Sequence, residues 1–235
     1  MGSVTAVTDS LDLAAVMVNV VAVIGPPAVG KTTLVMQIGR FPGTRVFRLR
    51  EHVPENSLAA TVTNSKGSGW IDDITVITSV RGYLENLICE GKVRTLLLDN
   101  FPGSGTQVGL FLSALRQLAP GCIVQVIELV ADLDVLRRRA GSRRVCHHCE
   151  HDPLCDPRLP AMAGAVDPER CARCGHWLHT RRGDIPAVYE TRHQRYYQMV
   201  GGIRRSLSNA GITVTQLDGS QTLDVTAQGL VSLLF

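Results

Sequence analysis

The sequence is poor in aromatic residues and carries little net charge, and both shortages argue against one class of function. Only 5% of its 235 residues are Phe, Trp or Tyr, and the formal net charge is +3. Proteins that bind nucleic acid need stacking side chains or a strongly basic surface. A nucleic-acid partner is therefore disfavoured, although a basic segment further along the chain keeps a zinc-ribbon nucleic-acid binder as a minor alternative.

Signals for membrane insertion or export are also missing. The apolar residues 13–24 are too few to span a bilayer, and no cluster of basic residues precedes them. We therefore expect a cytoplasmic monomer with no membrane partner, and residues 1–14 are predicted to be a flexible leader. The hydrophobic fraction of 45% is sufficient for a full core, and the length fits one large α/β domain or a domain with an insert.

The most informative stretch that is present begins with apolar residues 21–24, which end at Gly25. A short loop follows, and Gly30-Lys31-Thr32 opens a helical pattern, so that G-x-x-x-x-G-K-[ST] stands between a strand and a helix. Glycines let backbone N–H groups curl around phosphate oxygens, and the helix N-terminus adds partial positive charge. Lys31 is predicted to reach the outer phosphates, and the hydroxyl of Thr32 or Thr33 to reach Mg²⁺. The predicted ATP-binding residues are Gly25, Pro27, Ala28, Val29, Gly30, Lys31, Thr32 and Thr33.

Strand patterns alternate with helical patterns along the rest of the chain. The predicted strands lie at residues 16–24, 46–49, 95–99, 123–129 and 212–217. The predicted helices lie at residues 31–40, 72–90, 107–118, 133–140, 185–210 and 223–234. Residues 50–70 are polar and poorly periodic, and we expect irregular chain there. The alternation favours a P-loop NTPase fold, in which a doubly wound, parallel, five-stranded sheet is flanked by helices.

Residues 141–183 break this alternation and are predicted to be an insert between two parts of a core, residues 15–140 and 184–235. Five of the seven cysteines lie in the insert, and in a reducing compartment such a cluster favours metal over disulfides. Two C-x-x-C pairs about twenty residues apart predict a structural Zn²⁺ site. Its predicted ligands are Cys146, Cys149, Cys171 and Cys174. His147, His148, His151 and Cys155 are alternative ligands, for which the simpler interpretation is polar surface.

Two further features point to phosphate chemistry. Asp99 ends an apolar strand, and in a doubly wound sheet that position lies beside the phosphate loop, where a carboxylate holds Mg²⁺ through water. The alternative is a strand-end Asp that makes a turn. Arginines flank both ends of the insert, which suits a lid that closes over polyphosphate, although a solvated helix face is the alternative for some of them. These arginines are Arg137, Arg138, Arg139, Arg143, Arg144, Arg181, Arg182, Arg192 and Arg195.

Together these motifs resemble adenylate kinases and related nucleoside monophosphate kinases, especially those with a zinc-binding lid. Residues 25–33 are similar to the family's G-x-P-G-x-G-K-G-T, residues 97–102 to its L-L-D-G-F-P, and residues 139–149 and 171–184 to its zinc knuckles with their arginines. The resemblance implies in-line transfer of the ATP γ-phosphoryl group to a nucleoside monophosphate or related small acceptor. It implies an acceptor flap at about residues 47–77, a lid at 141–183 and recognition of the acceptor base by Gln107. The implied phosphoryl-neutralising residues are Lys31, Arg139, Arg143, Arg181 and Arg192.

The sequence departs from the family where the acceptor phosphate is bound. Pro54 falls near the position of one expected arginine, and Gly103 stands where a second is expected. Each lost charge-assisted contact is worth on the order of 1.5–3 kcal/mol. Arg48 or Arg50 is the candidate replacement. We therefore predict altered acceptor specificity. The alternatives are ordinary adenylate kinase activity, which converts ATP and AMP to two ADP, and a catalytically weak ATP-binding module that acts by conformational change.

Overall fold

A computed structural model of the chain describes residues 17, 19–63, 71–151, 157 and 159–234. The predicted leader at residues 1–14 lies outside the described residues. Within them, no helix combines the length and the apolar character that are needed to cross a membrane.

A parallel sheet of five strands forms the centre of the fold and confirms the predicted P-loop architecture. The strands, in chain order, are β1 (Asn19–Ile24), β2 (Thr44–Arg48), β3 (Thr95–Asp99), β4 (Ile123–Val130), β5 (Arg144–Val145), β6 (His179–Thr180) and β7 (Val214–Asp218). The spatial order in the large sheet is β2-β3-β1-β4-β7, and every neighbouring pair is parallel. The short strands β5 and β6 pair antiparallel in a separate ribbon, and the four predicted zinc ligands lie between them along the chain.

Helices cover both faces of this sheet. They are α1 (Lys31–Ile38), α2 (Glu55–Thr63), α3 (Asp73–Glu90), α4 (Gly105–Leu118), α5 (Leu133–Ser142), α6 (Pro186–Asn209) and α7 (Leu223–Leu234). Val20 and Leu96 pack with α3, α4 and the C-terminal half of α6. Val21 and Leu97 pack with α1, α5 and α7 on the other face. Burial on both faces explains why the central strands are continuous apolar runs.

Helix α2 corrects the expectation of irregular chain over residues 50–70. Pro54 precedes the helix, and its carbonyl oxygen accepts hydrogen bonds from the amides of Ser57 and Leu58. Proline is tolerated there because the first helical N–H groups have no intrahelical partner. Leu58 is buried, whereas Glu55 and Asn56 are exposed, so the helix is too short and too polar to show a clear apolar period. Residues 64–70 lie outside the described residues.

The strand register determines which side chains meet at the carboxyl edge of the sheet. Arg48, at the end of β2, is the register partner of Asp99, at the end of β3. Asp99 is in turn the partner of Val23, two residues before the loop that follows β1. Ligands of open parallel sheets bind outside the carboxyl ends of the strands. The register therefore assembles a candidate site at the edge that holds the predicted phosphate loop.

Candidate active site

The loop between β1 and α1 has the backbone of an anion cradle. Gly25 has φ +149°, and a Cβ there would approach the carbonyl oxygen of Leu129 to 2.6 Å, so only glycine fits. Ala28 and Gly30 have φ angles of 67° and 108°. A left-handed alanine costs about 1–2 kcal/mol, and such strain concentrates at functional loops. Helix α1 then begins without a side-chain cap or an acidic residue in its first turn, which leaves its N-terminus suited to an anion.

Lys31, the first residue of α1, is buried against this loop. Its Nζ donates to the carbonyl oxygens of Gly25 at 2.7 Å and Pro26 at 2.8 Å. Burial lowers the pKa of Lys31 from 10.5 to about 7, against the opposing effect of Asp99. The charges of Arg192, Arg143 and Arg181 contribute to this lowering, so these arginines act electrostatically on the same site. The loop therefore holds an ammonium group whose charge is unfavourable until an anion arrives.

Asp99 connects the loop to the next strand. Its Oδ2 accepts from Thr32 Oγ1 at 2.8 Å and from Arg48 Nε at 3.3 Å. Its Oδ1 is buried and has no hydrogen-bond partner within the described residues. A hydroxyl and a carboxylate with a free oxygen fit the oxygen ligands of a hydrated Mg²⁺. Of the two hydroxyl groups predicted to reach Mg²⁺, that of Thr32 is the one that contacts Asp99.

The two candidate acceptor arginines, Arg48 and Arg50, lie in different environments. Arg48 is half-buried at the end of β2, where its Nη1 donates to Glu51 at 2.6 Å and its Nε contacts Asp99. Arg50 lies on a single 3₁₀ turn, Leu49–Glu51, and is exposed. Arg48 is therefore joined directly to the Thr32–Asp99 cluster.

A second charged cluster lies where the chain leaves and re-enters the core. Arg143 makes a bidentate pair with Asp184, with both N–O distances at 2.6 Å. Arg192 donates to the Gly183 carbonyl oxygen at 2.7 Å and lies 3.8 Å from the Asp184 carboxylate. The Asp184 side chain is fully buried, and it holds two predicted phosphoryl-neutralising arginines. The sequence alone assigns no role to Asp184, although its spacing of three residues from Arg181 is a signal that marks it.

The four predicted zinc ligands converge. Their Sγ atoms all lie within 4.8 Å of one another, with Cys146–Cys174 at 3.5 Å and Cys149–Cys171 at 3.7 Å. Zn–S bonds of 2.3 Å in a tetrahedron place sulfurs about 3.8 Å apart. The N–H of Arg173, followed by that of Cys174, lowers the pKa of the Cys171 thiol to about 7, and thiolate is the metal-binding form. The cluster fits structural Zn²⁺. Cys155, an alternative ligand, lies outside the described residues.

Comparison with known proteins finds two that are similar to most of this chain. No family model matches the chain. The adenylate kinase of Acidothermus cellulolyticus is 28% identical over 225 residues, which cover 89% of this chain and 95% of that protein. The adenylate kinase of Salinispora tropica is 28% identical over 180 residues, which cover 74% of this chain and 78% of that protein. The chain is therefore similar to adenylate kinases over most of its length. The expected class, a nucleotide-kinase-like phosphotransferase, is confirmed by this relationship.

The side chain of Arg139 faces backbone carbonyl groups. Its guanidinium donates to the carbonyl oxygens of Val29, Gly219, Ser220 and Gln221. It therefore ties α5 to the phosphate loop and to the turn after β7. Its role in neutralising a phosphoryl group stays a prediction.

Gln107 is buried near the start of α4. Its Nε2 donates to Asp73 at 2.8 Å, and its Oε1 accepts from the Gly103 N–H at 2.8 Å. Asp73 is the first residue of α3, so the amide joins two helices behind the carboxyl end of β3. Recognition of the acceptor base by Gln107 stays a prediction.

Binding of ATP at this loop is expected to be accompanied by the uptake of a proton at Lys31. Phosphate oxygens favour the ammonium form of Lys31 and raise its pKa above the value of about 7 in the free site. A Lys31 amine that is neutral above pH 7 in the free protein therefore becomes charged when ATP binds. The pKa of Lys31 is 10.5 in the unfolded chain and about 7 in the folded, ligand-free protein. Between these two pH values the unfolded chain binds more protons, so the free energy of unfolding rises as the pH rises from about 7 to 10.5.

Calorimetry of ATP binding at about pH 8, in buffers with different ionisation enthalpies, measures this uptake. Lys31→Arg is the control, because a guanidinium stays charged in both states and takes up no proton. Equal uptake by the native protein and the Arg variant would contradict the assignment to Lys31.

Proposed function

We propose that the protein transfers the γ-phosphoryl group of Mg-ATP to a nucleoside monophosphate or related small acceptor, with an acceptor preference that differs from that of ordinary adenylate kinases. The observation that carries this proposal is the connected cluster at the carboxyl edge of β1, β2 and β3. There the side chain of Lys31 lies against the phosphate loop, and Thr32, Asp99 and Arg48 form one hydrogen-bonded group. A phosphate loop and a guanidinium group thus lie next to each other, which supports a donor site beside a ligand for the acceptor phosphate.

The donor half works by positioning and charge. The loop amides and Lys31 orient the outer phosphates, which releases Lys31 from the carbonyl oxygens that it contacts in the free site. Thr32 and Asp99 would hold Mg²⁺, which neutralises phosphate charge when it is bound. Arg143 and Arg192, held by Asp184, neutralise the transferring group when the predicted lid closes over it. Such transfer needs no covalent nucleophile on the protein.

Arg48 is our proposed ligand for the acceptor phosphate. A guanidinium has five N–H donors, and the contacts to Asp99 and Glu51 use two of them. The remaining donors offer a planar group that suits a phosphate. Arg48 lies at the end of β2 and not at either of the two family positions, so it would supply the missing cationic contact from a different place in the sequence.

Arg48→Ala is expected to raise the KM for the acceptor by about 10- to 150-fold, the equivalent of one charge-assisted hydrogen bond of about 1.5–3 kcal/mol. The KM for ATP should stay nearly constant, because Arg48 contacts the donor site only through Asp99. Arg45→Ala is the matched control: Arg45 is on the same strand but is exposed and lies 3.9 Å from Glu90. Coupled ADP-release assays measure each variant.

The same assay, run across nucleoside monophosphates, nucleosides and other small acceptors, tests the proposed reaction itself. AMP is the first acceptor to compare, because both relatives are named adenylate kinases. A higher kcat/KM for an acceptor other than AMP supports altered specificity, whereas AMP as the best acceptor favours ordinary adenylate kinase activity. ATP binding without acceptor-dependent turnover would favour the conformational module. The monomeric state and the cytoplasmic location stay predictions.

A further inference from the structure

Two histidines lie against the four-cysteine cluster but are not needed by it. The rings of His148 and His176 stack face to face, with centroids 3.5 Å apart and an angle of 13° between their planes. One nitrogen of each ring and the Sγ of Cys174 all lie within 4.8 Å of one another. Both rings are exposed at the surface. This histidine pair comes from the two separate knuckles, so only the folded segment brings it together.

The four thiolates already complete one tetrahedron, so the imidazoles are left over as ligands. A zinc ion bound by four thiolates carries a net charge of −2, which favours another cation nearby. Imidazole and thiolate together suit divalent zinc, nickel and copper. The charge and the donor set therefore both favour a second transition-metal ion at the histidine pair.

A hydrogen bond orients one of the two rings for such a role. The Nδ1 of His176 lies 3.2 Å from the carbonyl oxygen of Cys174. Because a carbonyl oxygen only accepts, Nδ1 is the donor, and the neutral ring keeps its lone pair on Nε2. Metal-binding histidines commonly donate their other N–H to a backbone carbonyl in this way. The contact thus selects a tautomer that can coordinate.

We propose that His148, His176 and the thiolate of Cys174 form a second metal site for a divalent zinc, nickel or copper ion. Cys174 bridges this ion and the structural zinc, and water completes the coordination. A metal ion lies in the plane of each imidazole that binds it, so the two rings cannot both coordinate while they are stacked in parallel. One ring must therefore rotate out of the stack, which the exposed position of both rings permits. The site is weaker than the four-cysteine site because it shares a ligand and faces solvent. It needs neither ATP nor an acceptor.

Zinc stoichiometry of the full chain tests this site. The protein is dialysed against buffered free zinc of increasing concentration, and bound metal is counted by mass spectrometry. The native chain is expected to reach about two ions, and H148Q/H176Q about one. H147Q/H179Q is the matched control: His147 and His179 also contact each other, with ring centroids 5.7 Å apart, but within the described residues they form no group with a cysteine sulfur.

Loss of the second ion in H148Q/H176Q but not in H147Q/H179Q supports the site. The one ion that H148Q/H176Q retains then shows that its four-cysteine cluster is intact. A single ion in the native chain, or loss of the second ion in both double variants, overturns the proposal. Loss of both ions from H148Q/H176Q also overturns it, because the histidines would then serve the first site. Cobalt substitution gives an independent readout, since a mixed nitrogen–sulfur site adds absorption that H148Q/H176Q should lack.

Discussion

Cys171→Ser is expected to release the structural zinc, to unfold the segment between β5 and β6, and to remove most phosphotransferase activity. Among the described residues of that segment few side chains are buried, and these include Cys146 and Cys171. Binding of zinc by such small sites supplies about 10–16 kcal/mol, most of which is folding energy. Serine cannot replace the buried thiolate, and the arginines at both ends of the segment would lose their fixed spacing.

Zinc released to a colorimetric chelator, and limited proteolysis between residues 144 and 180, measure this loss. Cys89→Ser is the control, because Cys89 is an exposed thiol on α3 outside the cluster. Cys89→Ser should keep its zinc, its resistance to protease and its activity. Native zinc content and native activity in Cys171→Ser would contradict the four-cysteine assignment.

Asp184→Asn is expected to lower the free energy of unfolding by about 2–3 kcal/mol and to reduce kcat/KM for phosphoryl transfer by about 10²-fold or more. The fully buried carboxylate pairs with Arg143 and lies close to Arg192. Removing its charge leaves the two guanidinium groups facing each other without a counter-ion. The estimate is below the usual cost of breaking a buried pair because the Arg143 side chain is 21% exposed.

Urea denaturation measures the first effect, and steady-state kinetics measure the second. Asp167→Asn is the control, since Asp167 and Arg170 form a pair in which both side chains are nearly half exposed, and such pairs contribute little. A double-mutant cycle with Arg143→Met isolates the coupling between Arg143 and Asp184. Additive effects in that cycle would show that the pair does not act as a unit.

The donor site and the zinc cluster were predictable because their parts lie close together along the chain. Residues 25–33 set their own loop geometry, since a glycine at position 25 and a helix that starts at Lys31 leave few backbone paths between them. Each C-x-x-C pair likewise places two thiolates within one turn. Helix α2 was not predictable, because its few described buried side chains give no period.

The acceptor side required the tertiary structure. Arg48 and Arg50 are two residues apart, and their sequence context does not distinguish them. Pairing of β2 with β3 brings Arg48 against Asp99, whereas Arg50 falls on the exposed turn that follows. The environment of Gln107 also depends on Asp73, which comes from another helix.

By itself, the sequence determined a phosphate loop between a strand and a helix, a parallel sheet and a four-cysteine cluster, because local spacing and apolar periodicity carry that information. Only the tertiary structure decided that Thr32 and Arg48 meet on Asp99, and that Asp184 holds Arg143. These hydrogen bonds join residues 67, 51 and 41 positions apart. The register of parallel strands, and the return of the chain to the core after residue 180, bring such residues together, and no local pattern encodes either.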